Sequence, residues 1–139
     1  MATVALTSSA PAKKPWTGYV LSGITVLFLL MDCGFKFVSP APAPVVEAMN
    51  KLGWQVSMSP VLGAILFVCG VLYVLPRTAV LGAILLTGYL GGAVATHLRV
   101  SDSAFSIVFP AIFGALAWGG LYFRDQRIRE LIPLKTRKL

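Results

Sequence analysis

LGAILLTGYLGGAVATHLR, residues 81–99, begins as hydrocarbon and ends in charge. Gly82, Ala83, Thr87, Gly88, Gly91, Gly92, Ala95 and Thr96 make it rich in small residues. Gly88 and Gly92 are four apart and share one strip of a helix; Ala83, Thr87, Gly91 and Ala95 form a second strip beside it. Inside lipid, helices associate through dispersion contacts, which small residues permit by letting backbones approach. Gly88, Gly91, Gly92 and Ala95 are therefore the expected helix-packing residues. His97, the only histidine, and Arg99 close the stretch. A charge at membrane depth costs roughly 2.5–3.5 kcal/mol even on lenient scales, so such residues mark candidate sites.

The whole chain has the same character. Of 139 residues, 57% are hydrophobic and 12% charged, with a mean hydropathy of +0.81. That is membrane composition rather than the make-up of a soluble core. The net charge of +7 does not indicate nucleic-acid binding, because most of the basic residues lie outside the apolar runs. They follow the positive-inside pattern and suit anionic headgroups.

Four spans are expected, at about 17–37, 58–75, 78–98 and 104–123, each near the roughly 20 residues a bilayer requires. Residues 1–15 read as a disordered tail and residues 124–139 as a basic tail, with the transmembrane domain over 16–123. A cleaved signal peptide is the competing reading of the first span, with Lys13-Lys14 as its basic region and Ala41-Pro42-Ala43 as its cleavage site. Asp32, Lys36 and the following Pro44 argue against it. Between the first two spans, SPAPAP (39–44) stops a helix. Residues 45–52 then place Val45, Val46, Met49 and Leu52 on one face and Glu47, Asn50 and Lys51 on the other. This predicts a short interfacial amphipathic helix, a lid of Val45, Met49 and Leu52 with Trp54 as anchor; an ordinary ordered loop is the alternative.

Nine of the twelve Lys and Arg fall on the side of the two tails and the 76–77 turn; only Lys36, Lys51 and Arg99 fall opposite. Both termini are thus expected in the cytoplasm. Short connections after the second and third spans imply an all-α, antiparallel four-helix bundle.

The first and third spans run in the same direction, so Asp32, Lys36, His97 and Arg99 end in one outer-leaflet zone, beside Glu47, Lys51 and Asp102. These four are the candidate catalytic residues. In one reading Asp32 pairs with Lys36 or Arg99 and only locks helices together. In the other they line a small polar pocket where His97 moves a proton and Arg99 or Lys36 steadies an oxyanion. One His and two Cys make no convincing metal set. Cys33 and Cys69 should differ in depth by about 10 Å, too far for a disulfide.

The run LYVLPRTAVLGAILLTGYLGGAVATHLRV, residues 72–100, resembles the DoxX-like family of small bacterial four-span membrane proteins. The flanks agree: Asp32 and Lys36, the Leu52-Gly53-Trp54 ending of the short helix, Phe109-Pro110, Gly114-Ala115-Leu116 and Trp118-Gly119-Gly120-Leu121-Tyr122. The resemblance covers about residues 16–133. It implies a four-helix membrane bundle. The family's name comes from a membrane subunit linked to thiosulfate:quinone oxidoreduction, and distant animal relatives look like assembly chaperones. It therefore implies either a redox-linked subunit or small enzyme acting on a quinone or another apolar molecule, or a binding and assembly protein holding a partner helix on its glycines. A lipid bilayer, a second copy or a redox subunit are the expected partners, with quinone as the candidate cofactor, none bound covalently. Two features of many relatives are missing: an acidic residue near Leu66, and a His just before Phe109-Pro110.

Overall fold

The computed structural model describes residues 16–131, all of whose regular structure is helical. The expected tail over residues 1–15 and the last part of the basic tail, 132–139, lie outside the described residues. Four helices, Trp16–Phe37, Val56–Val74, Ala79–Arg99 and Ala104–Arg124, are long and apolar enough to cross a membrane. Their outward side chains include Leu27, Leu30, Phe67, Val68, Ile84 and Phe105, all exposed. In water such a belt would drive aggregation; in lipid it is the solvated surface. The chain is an integral membrane protein built as a four-helix bundle.

We number the helices α1 (Trp16–Phe37), α2 (Ala43–Lys51), α3 (Ser59–Val74, preceded by a 3₁₀ turn at Val56–Met58), α4 (Ala79–Arg99), α5 (Ala104–Arg124) and α6 (Gln126–Leu131). The packing is a ring: α1 lies against α3 and α5, and α4 lies against α3 and α5. The parallel helices α1 and α4 therefore occupy a diagonal. The core is formed by Leu29, Leu66, Ala83, Leu86, Ala117 and Leu121.

Polar residues inside the spans tie the ring together near the end that carries the termini. Tyr73, fully buried, donates its hydroxyl to the Ala117 carbonyl at 2.9 Å and meets Ser22 Oγ at 3.0 Å. Its one proton being spent on Ala117, it accepts from Ser22. Arg124 stacks 4.9 Å over the Tyr73 ring and donates to the Tyr73 carbonyl at 3.0 Å. Thr78 Oγ1 donates to the Leu72 carbonyl at 2.9 Å and fastens the α3–α4 turn.

Close helix approach occurs here too, and not where the small-residue strips predict it. A Cβ on Gly82 would meet the Tyr73 backbone, and one on Gly18 would lie 2.6 Å from the Arg124 nitrogen. One on Gly120 would strike Ser22 Oγ. By contrast, a Cβ on Gly88, Gly91 or Gly92 would have nothing within 4 Å. The expectation that Gly88, Gly91, Gly92 and Ala95 pack helices is thus corrected within the chain: Ala95 is exposed as well. Only the lower part of the second strip is used, through buried Ala83 and through Thr87, which accepts from Trp118 Nε1 at 2.8 Å. The ring rotates α4 so that the upper strips face outward.

The basic tail expected from residue 124 also begins differently. Its first part folds as α6, which buries Ile128. Arg129 donates to the Tyr122 and Phe123 carbonyls at 2.9 and 3.0 Å, satisfying carbonyls that the α5 terminus leaves free.

Candidate functional site

The end of the bundle opposite the termini carries α2. Pro42 caps it in extended conformation and Pro44 sits in its first turn, where a missing N–H costs nothing. At the other end Gly53 adopts φ +72°. The Trp54 N–H bonds the Met49 carbonyl at 2.8 Å, and the Gly53 N–H bonds that of Asn50 at 3.1 Å. This pair of bonds is a Schellman motif, and its left-handed residue is why glycine follows the helix. The helix is amphipathic as the spacing predicts: Met49 is buried, Val45 and Leu52 are half-buried, and Glu47, Asn50 and Lys51 are exposed. Trp54 is exposed at 41% and forms a wall rather than part of the cover.

Two contacts fasten α2 to the bundle. Arg99 donates to the Leu52 carbonyl at 2.5 Å. Lys51 meets Asp102 Oδ1 at 2.6 Å. Asp102, in the loop between α4 and α5, is only 3% exposed in its side chain. It also meets His97 Nδ1 at 2.8 Å and accepts from the Ser103 N–H at 2.6 Å. Lys51 first, then His97 and the Ser103 amide, hold its carboxyl well below the usual carboxylate range. An ionised Asp102 only accepts, so His97 donates to it from Nδ1.

The four residues expected to converge lie in three separate places. Asp32 pairs with Lys36 at 2.5 Å along α1. Of the two partners expected for Asp32, Lys36 is the one it takes; Arg99 belongs to α4 and bonds the α2 end instead. The reason is the ring order, which puts α1 and α4 on a diagonal. His97 and Arg99 are also apart, because two residues turn a helix by roughly 200°. His97 faces the α4–α5 loop, whereas Arg99 faces the α2–α3 loop. Asp102, which collects Lys51 and His97, was not among the candidate residues; its position in a short loop between charged helix ends was the signal. Cys33 and Cys69 are free thiols, and Cys33 Sγ lies 3.4 Å from the Gly63 carbonyl. Among the described residues no group of three His, Cys, Asp or Glu could hold a metal ion.

A pocket of about 300 Å³ opens between α4 and the loop after α2, lined by Gly53, Trp54, Ala95, Thr96 and Arg99. Below it, on the same face of α4, Gly92 and Gly88 are exposed, with open space beside them. Its volume lies at the lower end of the roughly 300–1,000 Å³ usual for small-molecule sites. A second groove of about 310 Å³ runs between α1 and α3, past Leu30, Phe67 and Val71. Its walls are almost wholly apolar, with nothing to orient a head group, so it suits a lipid chain better than a specific ligand.

A family model described as the DoxX-like family matches residues 20–120, most of the chain. The chain belongs to the DoxX-like family. The match runs from α1 to the last turns of α5, and so takes in the ring, α2 and the pocket residues. No curated protein and no solved structure matches the chain.

Proposed function

We propose that this DoxX-like protein is a redox-linked membrane subunit that seats a quinone-like amphiphile in the pocket beside α2. The observation that supports the reading is the pocket itself: a guanidinium and an indole beside Ala95 and Thr96, with Gly92 and Gly88 open on the same helix face below. An Arg99 N–H can hold a quinone carbonyl, the Trp54 ring can flank the head, and an isoprenoid or alkyl chain can lie along Gly92 and Gly88. The proton-transfer candidate, His97, faces away from the lining residues, so the reading is of a seat, with electrons passed to or from a partner. Asp32 and Lys36 would serve there as a structural pair on α1. With nine of twelve Lys and Arg on the terminal side, that side faces the cytoplasm of a bacterial inner membrane, and the pocket opens to the outer leaflet.

Purified protein is expected to bind decylubiquinone, and Gly92→Leu to weaken that binding at least roughly tenfold with an unchanged melting temperature. His97→Ala should keep binding. Equal affinity in Gly92→Leu and the parent would contradict the seat; loss of turnover in His97→Ala with binding intact would make the protein an enzyme instead.

A second reading draws on Gly88, Gly91 and Gly92, which no helix among the described residues approaches. A glycine strip facing lipid is the surface on which a partner's transmembrane helix, or a second copy, can pack. Under that reading Gly88→Leu abolishes complex formation and quinone binding is absent from the parent.

A further inference from the structure

The charge on the pocket wall is uncompensated. Among the described residues Arg99 forms no ion pair; its one bond goes to the Leu52 carbonyl, leaving most of its five N–H donors free. The acidic groups of that end are otherwise engaged or elsewhere. Asp102 is covered and takes Lys51, His97 and the Ser103 amide. Glu47 lies on the exposed face of α2, and Asp32 is paired with Lys36 across the bundle. Lys51 is neutralised by Asp102. The pocket is thus positive at its head and apolar below, with Trp54 beside the guanidinium. Arg99 is exposed on the rim, and its free N–H donors bond an anionic head group more strongly than a neutral one.

We propose that the ligand of this pocket is an acidic, quinone-like amphiphile with one chain, its ionised oxygen held by Arg99 and its chain lying over Gly92 and Gly88. The inference rests on the reading that the pocket seats a quinone-like molecule, and it names the ionisation state of that molecule. A guanidinium offers two parallel donors, so an ionised hydroxyl and its neighbouring carbonyl can be held together in bidentate fashion.

The test uses two probes of one skeleton: a long-chain alkyl hydroxynaphthoquinone, ionised at neutral pH, and its neutral methyl ether. Binding is measured by calorimetry with the full chain in phosphatidylcholine nanodiscs. The hydroxy compound is expected to bind at least roughly tenfold tighter. Arg99→Gln should erase that preference, and Arg99→Lys, which keeps the charge, should retain part of it; both variants are checked for unchanged melting. Equal affinities overturn the acidic-ligand proposal and leave the quinone seat standing. Binding of neither probe overturns both. A preference that survives Arg99→Gln places the charge recognition elsewhere and overturns the proposal. Displacement of the hydroxy compound when phosphatidylglycerol replaces part of the phosphatidylcholine identifies the site as a phospholipid site, and overturns it too.

Discussion

Gly82→Ala should fail to give a folded bundle, while Gly88→Ala, six residues further along the same helix, should melt like the parent. A Cβ at Gly82 would collide with the Tyr73 nitrogen and lie 2.5 Å from its Cα. These are backbone atoms of α3 and cannot swing away as a side-chain tip could. Ordinary overpacking costs about 1–3 kcal/mol; here α3 and α4 would have to separate along the turn that Thr78 fastens. At Gly88 the added methyl enters open space. Detergent-solubilised variants compared by thermal unfolding and size-exclusion chromatography give the answer. Equal melting of the two would mean that the α3–α4 contact is looser than described.

Tyr73 carries the second large effect. Its side chain is fully buried where α1, α3 and α5 meet. Tyr73→Ala removes the ring, the Arg124 stacking surface and both hydroxyl bonds, and should destabilise by about 3–5 kcal/mol, the range for large aromatic truncations. Tyr73→Phe keeps the ring but leaves the Ser22 hydroxyl without its acceptor, a loss of about 1–3 kcal/mol. Adding Ser22→Ala to Tyr73→Phe should recover part of that loss, since neither partner is then orphaned. Denaturant unfolding in detergent measures the cycle. Strict additivity of the two changes would show that the Ser22–Tyr73 bond contributes nothing.

The spans were legible because the bilayer imposes a length and an apolar composition that the sequence displays openly. The observed helix ends fall within one or two residues of the expected ones. The end of α2 was legible too, since glycine at position 53 answers a backbone requirement. Of the side-chain partners, only the i, i+4 pair of Asp32 and Lys36 was. Periodicity shows that Asp32 and Arg99 reach the same end of the membrane, but not that α1 and α4 are diagonal in the ring. Charge at His97 and Arg99 drew attention to both, although their spacing already places them on opposite sides of α4. The Gly88–Gly92 strip is conspicuous, but its spacing shows only that the two glycines share a face, not which way that face points. The residues that bring the backbones together, Gly18, Gly82 and Gly120, look unremarkable in sequence. Ser22 and Tyr73 offered the missing signal: a hydroxyl inside an apolar span needs a partner from another helix. Ile128, between two arginines, gave no pattern from which α6 could be read.

The central claim is that the α4 face beneath Arg99 is a ligand seat. The direct measurement is photo-crosslinking with a diazirine-bearing alkyl quinone, on the full chain in nanodiscs, with labelled residues mapped by mass spectrometry. The account predicts labels on residues 88–99 of α4 and at Gly53 or Trp54. Labels confined to the α1–α3 groove around Leu30 and Phe67, or no label above the lipid background, would contradict it.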